Sequence, residues 1–146
     1  PELAEAVHAD PALAKGLGEE SLRIATPMQC LWRTALADVQ FGDVTVPAGA
    51  IVEVRFGAAN RDPAQFSCPA DVDLKRKNAN SHLAFSAGIH LCIGNQLARG
   101  ELRLAFQALT RRLKNCRFSR GDESCSPLEG YTPYGLRELW MTFERR

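Results

Sequence analysis

The feature that most constrains the fold is the stretch FSAGIHLCIG, Phe85 to Gly94, which stands directly before a strongly helical segment. Gly88 and Gly94 let the backbone turn tightly and approach a bulky planar group, because neither carries a Cβ. Cys92 lies just ahead of the helix, where the following amide groups lower a thiol pKa and favour the thiolate. The pattern indicates an activated cysteine, although a buried structural thiol, or a catalytic nucleophile with His90 as its base, also fits these residues.

Length and composition restrict the class of protein. The chain has 146 residues, 45% of them hydrophobic and 24% charged, and a formal net charge of +1. That size suits one domain, and the balanced charge gives no reason to expect nucleic acid as a partner. No apolar run approaches the roughly 20 residues that span a bilayer, and no secretory signal opens the chain. The five cysteines are odd in number and widely spaced, which predicts neither a disulfide framework nor a zinc site and favours a cytoplasmic location.

The first part of the chain, residues 1–30, is predicted to form short helices. Asp10 is a candidate N-cap for a helix that begins at proline, and a second helix must stop before Thr26-Pro27 because the residue before proline disfavours helix. Residues 31–57 are predicted to form a β-sheet segment, with Gly42-Asp43 as a turn between two strands. Residues 58–84 form a long irregular stretch, which in a compact domain is usually functional or disordered.

The second part of the chain begins with the loop 85–94 and continues as a long helix with a closing β-hairpin over residues 95–146. Apolar residues recur at helical spacing from about Ile93 to Lys114. The tail GYTPYGLRELWMTFERR alternates weakly in polarity, which favours the hairpin. His8 and His82 are interpreted as surface or loop residues, and no role is assigned to them.

FSAGIHLCIG resembles the haem-binding signature of the cytochromes P-450, F-x-x-G-x-H-x-C-x-G, with every fixed position filled. Four further segments resemble the family in the family's order: ESLR (20–23) its E-x-x-R helix, residues 32–49 the sheet of the bacterial soluble members, and AANRDP (58–63) and PADVD (69–73) the segment and meander that follow. The resemblance covers essentially the whole chain. It implies an α+β fold, mainly helical with small β-sheets, and a single partial domain, 1–146, that is the C-terminal portion of the cytochrome P-450 fold: short helices, a β-hairpin sheet, the meander (58–84), the cysteine-ligand loop (85–94) and the long helix.

The resemblance also implies roles for individual residues. Cys92 would be the axial thiolate ligand of the haem iron. Glu20 and Arg23 would form a buried ion pair that is structural rather than catalytic. Arg33 and His90 would bind the haem propionates and Phe85 would pack near the thiolate, so that the cofactor-binding residues are Arg33, Phe85, Gly88, His90, Ile93 and Gly94. The substrate pocket would include Pro27, Met28, Gln29 and Cys30. The surface for an electron donor would include Arg99 and Arg103.

Two departures from the family's pattern stand out. Where the family's meander carries an arginine that completes a triad with the E-x-x-R pair, this chain has Asp71, and Arg76 is displaced nearby, so the third member stays open. The family's long central helix, with its acid–alcohol pair for oxygen activation, is absent from the sequence. We therefore expect the chain to correspond to the C-terminal third of such a protein.

The resemblance implies the haem-thiolate portion of a bacterial-type monooxygenase with haem b (iron protoporphyrin IX) as cofactor. The complete protein would insert one oxygen of O₂ into a small organic substrate, with electrons supplied ultimately by NAD(P)H through a ferredoxin-like or flavin-type donor. The chain alone is expected to be inactive without the oxygen-activating helix. The alternative is a truncated, non-catalytic fragment, a haem-free or partner-binding scaffold whose exposed apolar surface favours association with the missing N-terminal portion or with a second copy. Neither nucleic acid nor a membrane is expected as a partner.

Overall fold

The structure is a computed structural model that describes residues 2–128 and 133–146. Its α-helices are α1 (Glu2–Ala9), α2 (Ala14–Ile24), α3 (Phe56–Ala59) and α4 (Asn95–Arg112). Its strands are β1 (Leu31–Thr34), β2 (Val39–Phe41), β3 (Val44–Val46), β4 (Ile51–Val54), β5 (Leu113–Phe118), β6 (Cys125–Pro127), β7 (Leu136–Leu139) and β8 (Met141–Arg145). Short 3₁₀ turns cover Pro11–Leu13, Ala79–Ser81, Gly88–His90 and Gly121–Ser124. This mixture of helices and small antiparallel sheets confirms the predicted α+β class.

The cap at Asp10 and the end of α2 agree with the sequence, but Pro11 opens a 3₁₀ turn and α2 itself begins only at Ala14. The Asp10 carboxylate accepts a hydrogen bond from the Ala12 N–H at 3.0 Å, which caps the turn that Pro11 opens. Helix α2 ends at Ile24, two residues before Thr26-Pro27. Helices α1 and α2 both pack against α4. A small apolar core lies with them, formed by the buried residues Val7, Ala14, Leu22, Cys30, Phe56, Phe66 and Ala79.

The first strands form two small antiparallel ladders. β1 pairs with β4, which places Arg33 opposite Val52. β2 and β3 form a hairpin in which Phe41 pairs with Val44, so the turn is the predicted Gly42-Asp43. Gly42 has a φ of +58°, a conformation that glycine adopts without a Cβ clash. Helix α3 begins at Phe56, within the segment predicted as sheet, and its end reaches into the irregular stretch that follows. Most of that stretch is loop, as predicted, with one 3₁₀ turn inside it.

The predicted closing hairpin is wrong in its pairing. In the described part of the tail, β7 pairs with β6 and β8 pairs with β5, so the two last strands have different partners. Only Trp140 separates β7 from β8, and one residue cannot reverse the chain. Its N–H donates to the Ser124 carbonyl at 2.8 Å and its carbonyl accepts from the Ser119 N–H at 3.1 Å, so Trp140 continues the extended ladder. Part of the predicted hairpin, residues 130–132, lies outside the described residues.

No helix among the described residues is long and apolar enough to cross a membrane.

The long helix is two residues shorter at each end than its predicted span, because Gly94 caps it and Leu113 already has extended backbone angles. Helix α4 therefore begins immediately behind the cysteine loop, residues 85–94, and places that loop at its N-terminus.

Candidate cysteine-ligand site

The cysteine loop is closed by its own backbone. The Cys92 N–H donates to the Phe85 carbonyl at 2.9 Å, and the Leu91 N–H donates to the Gly88 carbonyl at 3.1 Å. Gly88 has a φ of +61°, and a Cβ added to it would meet no heavy atom within 4 Å. The glycine is therefore required by the backbone conformation and not by crowding, and its open surface leaves room for a planar group.

The Cys92 thiol is exposed and lies against the start of α4. A Cβ built on Gly94, the N-cap residue, would stand 3.9 Å from Cys92 Sγ. The N–H groups of Ile93 and Gly94 donate to no oxygen among the described residues. Backbone amides without an acceptor at the N-terminus of a helix can receive a negatively charged group. The local chemistry thus suits a cysteine that acts as a metal ligand.

Exposed apolar side chains lie close to Cys92 in the sequence. Ile89 and Ile93 are 97% and 103% exposed. The other large apolar residues that are exposed in the loop and the first turn of α4 are Leu91 and Leu97. Apolar side chains so close together on a surface usually contact another apolar group. A haem has such a planar apolar face, so these residues fit the cofactor that the sequence implies.

The two residues predicted to bind the haem propionates, Arg33 and His90, make no hydrogen bond or ion pair with Cys92 among the described residues. Arg33 is partly exposed on β1, and its Nη1 donates to the Trp32 carbonyl at 2.8 Å. His90 is exposed at the end of the 3₁₀ turn that carries Gly88. Among the described residues, no hydrogen bond or ion pair links Arg33, His90 and Cys92 to one another. Both side chains have donors left for an added carboxylate.

The predicted substrate-pocket residues differ in their surroundings. Gln29 donates to the Thr26 carbonyl at 2.5 Å, and its side chain packs so closely on Gly57 that an added Cβ would clash with it. Cys30 is buried, and both that burial and a hydrogen bond with Glu53 raise the pKa of its thiol. Pro27 is exposed and Met28 is partly exposed. Pro27, Met28 and Gln29 therefore retain some exposed surface, whereas Cys30 does not.

The E-x-x-R pair is fully buried and fully hydrogen-bonded. Arg23 Nε donates to Glu20 Oε1 at 2.7 Å and Nη2 donates to Oε2 at 2.9 Å. The remaining guanidinium protons bind the carbonyls of Asn60, Pro69 and Asp71 at 3.0, 2.7 and 3.0 Å. All five donors of an arginine are thereby used. The pair connects α2 to the meander, which is the structural role that the resemblance implies.

Arg76 completes this group, which resolves the open third member. Its Nε donates to Glu20 Oε1 at 3.1 Å, and the Asp73 N–H donates to Oε2 at 2.9 Å. Asp71 contributes only its backbone carbonyl to the two arginines. Burial raises the pKa of Glu20, but the bonds from Arg23, Asp73 and Arg76 lower it by more, so the pKa lies below its ordinary value.

A second buried carboxylate, that of Glu19, binds two side chains that the sequence analysis did not connect with it. Glu19, the residue before Glu20, accepts from Arg99 Nε at 2.8 Å and lies 3.1 Å from His82 Nε2. His82 lies in a loop, as predicted, but its side chain is buried against Glu19, and nothing in the sequence indicated that contact. Arg99, predicted on the electron-donor surface, is 25% exposed and ion-paired, whereas Arg103 is exposed.

The fold and the site together define a protein that presents a cysteine thiol at a helix N-terminus on a scaffold stabilised by a buried Glu–Arg pair. The chain belongs to the cytochrome P450 family, whose model matches residues 14–135. It is 44% identical over 120 residues to cytochrome P450 105C1 of a Streptomyces species, which covers 82% of this chain and 31% of that protein. It is 43% identical over 119 residues to the steroid C26-monooxygenase of Mycobacterium tuberculosis strain CDC 1551, over 82% of this chain and 32% of that protein.

Solved structures agree with the sequence relatives. The chain superposes on cytochrome P450 CYP109Q5 from Chondromyces apiculatus with a TM-score of 0.89 and 33% identity, over 100% of this chain and 37% of that one. It superposes on P450BioI, solved with an acyl carrier protein bearing hexadec-9Z-enoic acid, with a TM-score of 0.91 and 34% identity, over 99% of this chain and 37% of that one. The chain thus spans about a third of the length of the relatives it matches.

Proposed function

We propose that this chain forms the haem-thiolate portion of a monooxygenase, with Cys92 as the axial ligand of the haem iron. The observation that carries the proposal is the position of the Cys92 thiol. It is exposed beside the N-cap of α4, within a loop closed by the hydrogen bond from the Cys92 N–H to the Phe85 carbonyl. Bound haem would supply the oxygen chemistry of the family, and the residues of the chain would hold and orient it.

The residues around Cys92 act in three ways in this proposal. The amides of Ile93 and Gly94 stabilise the negative charge of the thiolate, since they have no acceptor among the described residues. The exposed Ile89 and Ile93 side chains would pack against an apolar face of the haem and keep water away from the Cys92 thiolate. Arg33 and His90 bind the propionate carboxylates by charge-assisted hydrogen bonds.

The electron donor and the substrate belong to the same proposal. Arg103 is exposed on α4, so it offers a positive charge to an acidic ferredoxin-like or flavin-type donor, whereas the charge of Arg99 is neutralised by Glu19. Pro27 and Met28 have surface to offer a small organic substrate. The steroid and the fatty-acyl carrier named for two relatives show how different the substrates of such proteins can be, and they assign none to this chain.

The test is haem binding by the chain and by two cysteine variants. The reduced, carbon-monoxide-treated protein should show the red-shifted Soret band of thiolate ligation. Cys92→Ala should lose that band, and Cys68→Ala, which removes another exposed thiol, should keep it. A Cys92→Ala variant that keeps the band would refute the ligand assignment. A chain that takes up no haem would favour the alternative, a haem-free scaffold.

A further inference from the structure

The Glu19 carboxylate bridges two side chains that come from different parts of the fold. Its Oε2 lies 3.1 Å from His82 Nε2, at the end of the meander, and its Oε1 accepts from Arg99 Nε of α4 at 2.8 Å. Glu19 and His82 are only 6% and 5% exposed. Neither of these two contacts involves the Glu20–Arg23 pair, so they need an explanation of their own.

Both partners of Glu19 pack against Phe85, the first residue of the cysteine loop. The Arg99 guanidinium carbon stands 4.7 Å from the centroid of the Phe85 ring, within range of a cation–π interaction. The His82 and Phe85 ring centroids are 6.0 Å apart. Because the Phe85 carbonyl accepts the Cys92 N–H, the position of Phe85 determines where the cysteine backbone lies.

The hydrogen bonds of His82 assign its tautomer. The Ala84 N–H donates to His82 Nδ1 at 3.2 Å, so Nδ1 is the acceptor nitrogen. Nε2 therefore carries the proton and donates it to Glu19. The imidazole is neutral in this arrangement, and the single negative charge of Glu19 balances the single positive charge of Arg99. Ala84 directly precedes Phe85, so His82 also holds the backbone that enters the loop.

Arg99 provides a second connection to the cysteine. Its Nη1 donates to Asn95 Oδ1 at 2.9 Å. Asn95 Nδ2 in turn donates to the Cys92 carbonyl at 2.6 Å. The Cys92 peptide is thus held at its N–H through Phe85 and at its carbonyl through Asn95, and both connections pass through a partner of Glu19.

We propose that Glu19 is a positioning residue for the cysteine loop. It fixes His82 and Arg99 against Phe85 and thereby holds the Cys92 thiol in the orientation of a ligand. The effect on loop geometry stands on these contacts alone, whereas its consequence for the iron rests on the proposed function above.

The first test measures backbone hydrogen exchange in the chain without haem. Glu19→Gln should accelerate exchange of the Cys92 and Ala84 amides about tenfold or more, because their acceptors lose their support. The amide of Phe106, within α4, should not change. The control Glu101→Gln removes an equal charge from an exposed position on α4 and should leave all three amides unchanged. Equal acceleration at all three amides in Glu19→Gln, or none at Cys92, would overturn the proposal.

Two further variants separate the connections. Arg99→Lys keeps the charge but cannot bind Glu19 and Asn95 with two fixed N–H groups, so it should accelerate exchange at Cys92 and not at Ala84. His82→Leu should have the opposite effect and accelerate exchange mainly at Ala84. If the two variants gave the same pattern, the separate roles assigned to Arg99 and His82 would be wrong.

The second test uses the haem-loaded protein. Glu19→Gln leaves the Arg99 charge unbalanced beside Phe85, which favours the reduced iron, so the reduction potential should rise, while Glu101→Gln should not change it because an exposed charge is screened. An unchanged potential in Glu19→Gln would overturn the link to the thiol. If the unmodified chain took up no haem, the proposed function would fail, and the exchange data would still decide whether Glu19 positions the loop.

Discussion

Substitution of Glu20 by glutamine tests how much the buried Glu20–Arg23 pair contributes to stability. The Glu20 carboxylate accepts four hydrogen bonds, two from Arg23 and one each from Arg76 and the Asp73 N–H. The glutamine side chain would keep the volume but turn an NH₂ group toward donors, and two arginines would lose their counter-charge. Removing one partner of a buried pair costs about 3–5 kcal/mol.

A loss of that size is measurable by urea denaturation followed by circular dichroism. With a slope of about 2 kcal/mol per molar urea, the midpoint of Glu20→Gln should fall by about 2 M. The exposed control Glu101→Gln should change the free energy of unfolding by less than about 0.5 kcal/mol. A midpoint for Glu20→Gln that matches this control would refute the assignment of the pair as a main support of the meander.

A double variant tests why the pair is costly to remove. Buried ion pairs can often be replaced by apolar residues of similar volume at little cost. Here Arg23 also satisfies the carbonyls of Asn60, Pro69 and Asp71. In Glu20→Leu/Arg23→Met the carbonyls of Asn60 and Pro69 would be left without donors, whereas that of Asp71 keeps the bond from Arg76, and each carbonyl left unpaired costs about 1–3 kcal/mol. We therefore expect the double variant to stay strongly destabilised, and recovery to the stability of the unmodified chain would show that the backbone contacts contribute little.

Three further predictions follow from the same structure. A Cβ on Gly16 would lie 2.0 Å from the Leu74 carbonyl oxygen, so Gly16→Ala should lower the thermal midpoint, whereas Gly100→Ala, with no atom within 4 Å, should raise it by better helix propensity. The Cys30 thiol should react with iodoacetamide more slowly than Cys68 in a timed mass-spectrometric assay, because Cys30 is buried and its pKa is raised. The pKa of the Glu20 carboxyl is lower in the folded chain than its ordinary value of 4.5, so its ionised form stabilises the fold above that pH. This stability is lost as the pH falls through the lower folded pKa. The urea midpoint should therefore drop in acid, and it should drop less in Glu20→Gln.

Local sequence patterns predicted the elements of this fold well, because each rests on nearby residues. The cap at Asp10, the end of α2 before Thr26-Pro27 and the turn at Gly42-Asp43 all depend on chemistry within four residues. The last two strands pair with β6 and β5, which both lie before the tail, and alternation of polarity carries no information about the partner. The prediction of a hairpin failed for that reason.

The same distinction applies to the site. The cysteine loop is one continuous stretch, so its glycines and its thiol could be recognised together. Arg76 and His82 reach their partners across 56 and 63 residues, and no spacing rule predicts such contacts. Arg99 was predicted on the surface for an electron donor, because an arginine on a helix face is usually solvated. In the structure its Nε donates instead to the Glu19 carboxylate of α2 at 2.8 Å.

The two adjacent glutamates of α2 connect these results. Neighbouring residues of a helix point about 100° apart, so Glu19 and Glu20 reach different parts of the fold from one turn. Glu20 binds Arg23, Arg76 and the meander backbone, whereas Glu19 binds His82 and Arg99 beside the cysteine loop. Burying two carboxylates side by side is unfavourable unless each has its own cations, and each does. Helix α2 therefore connects both the meander and the cysteine loop to one rigid element. A comparison of the two variants should separate these roles: Glu19→Gln should mainly change the geometry of the cysteine loop, and Glu20→Gln should mainly lower the free energy of unfolding.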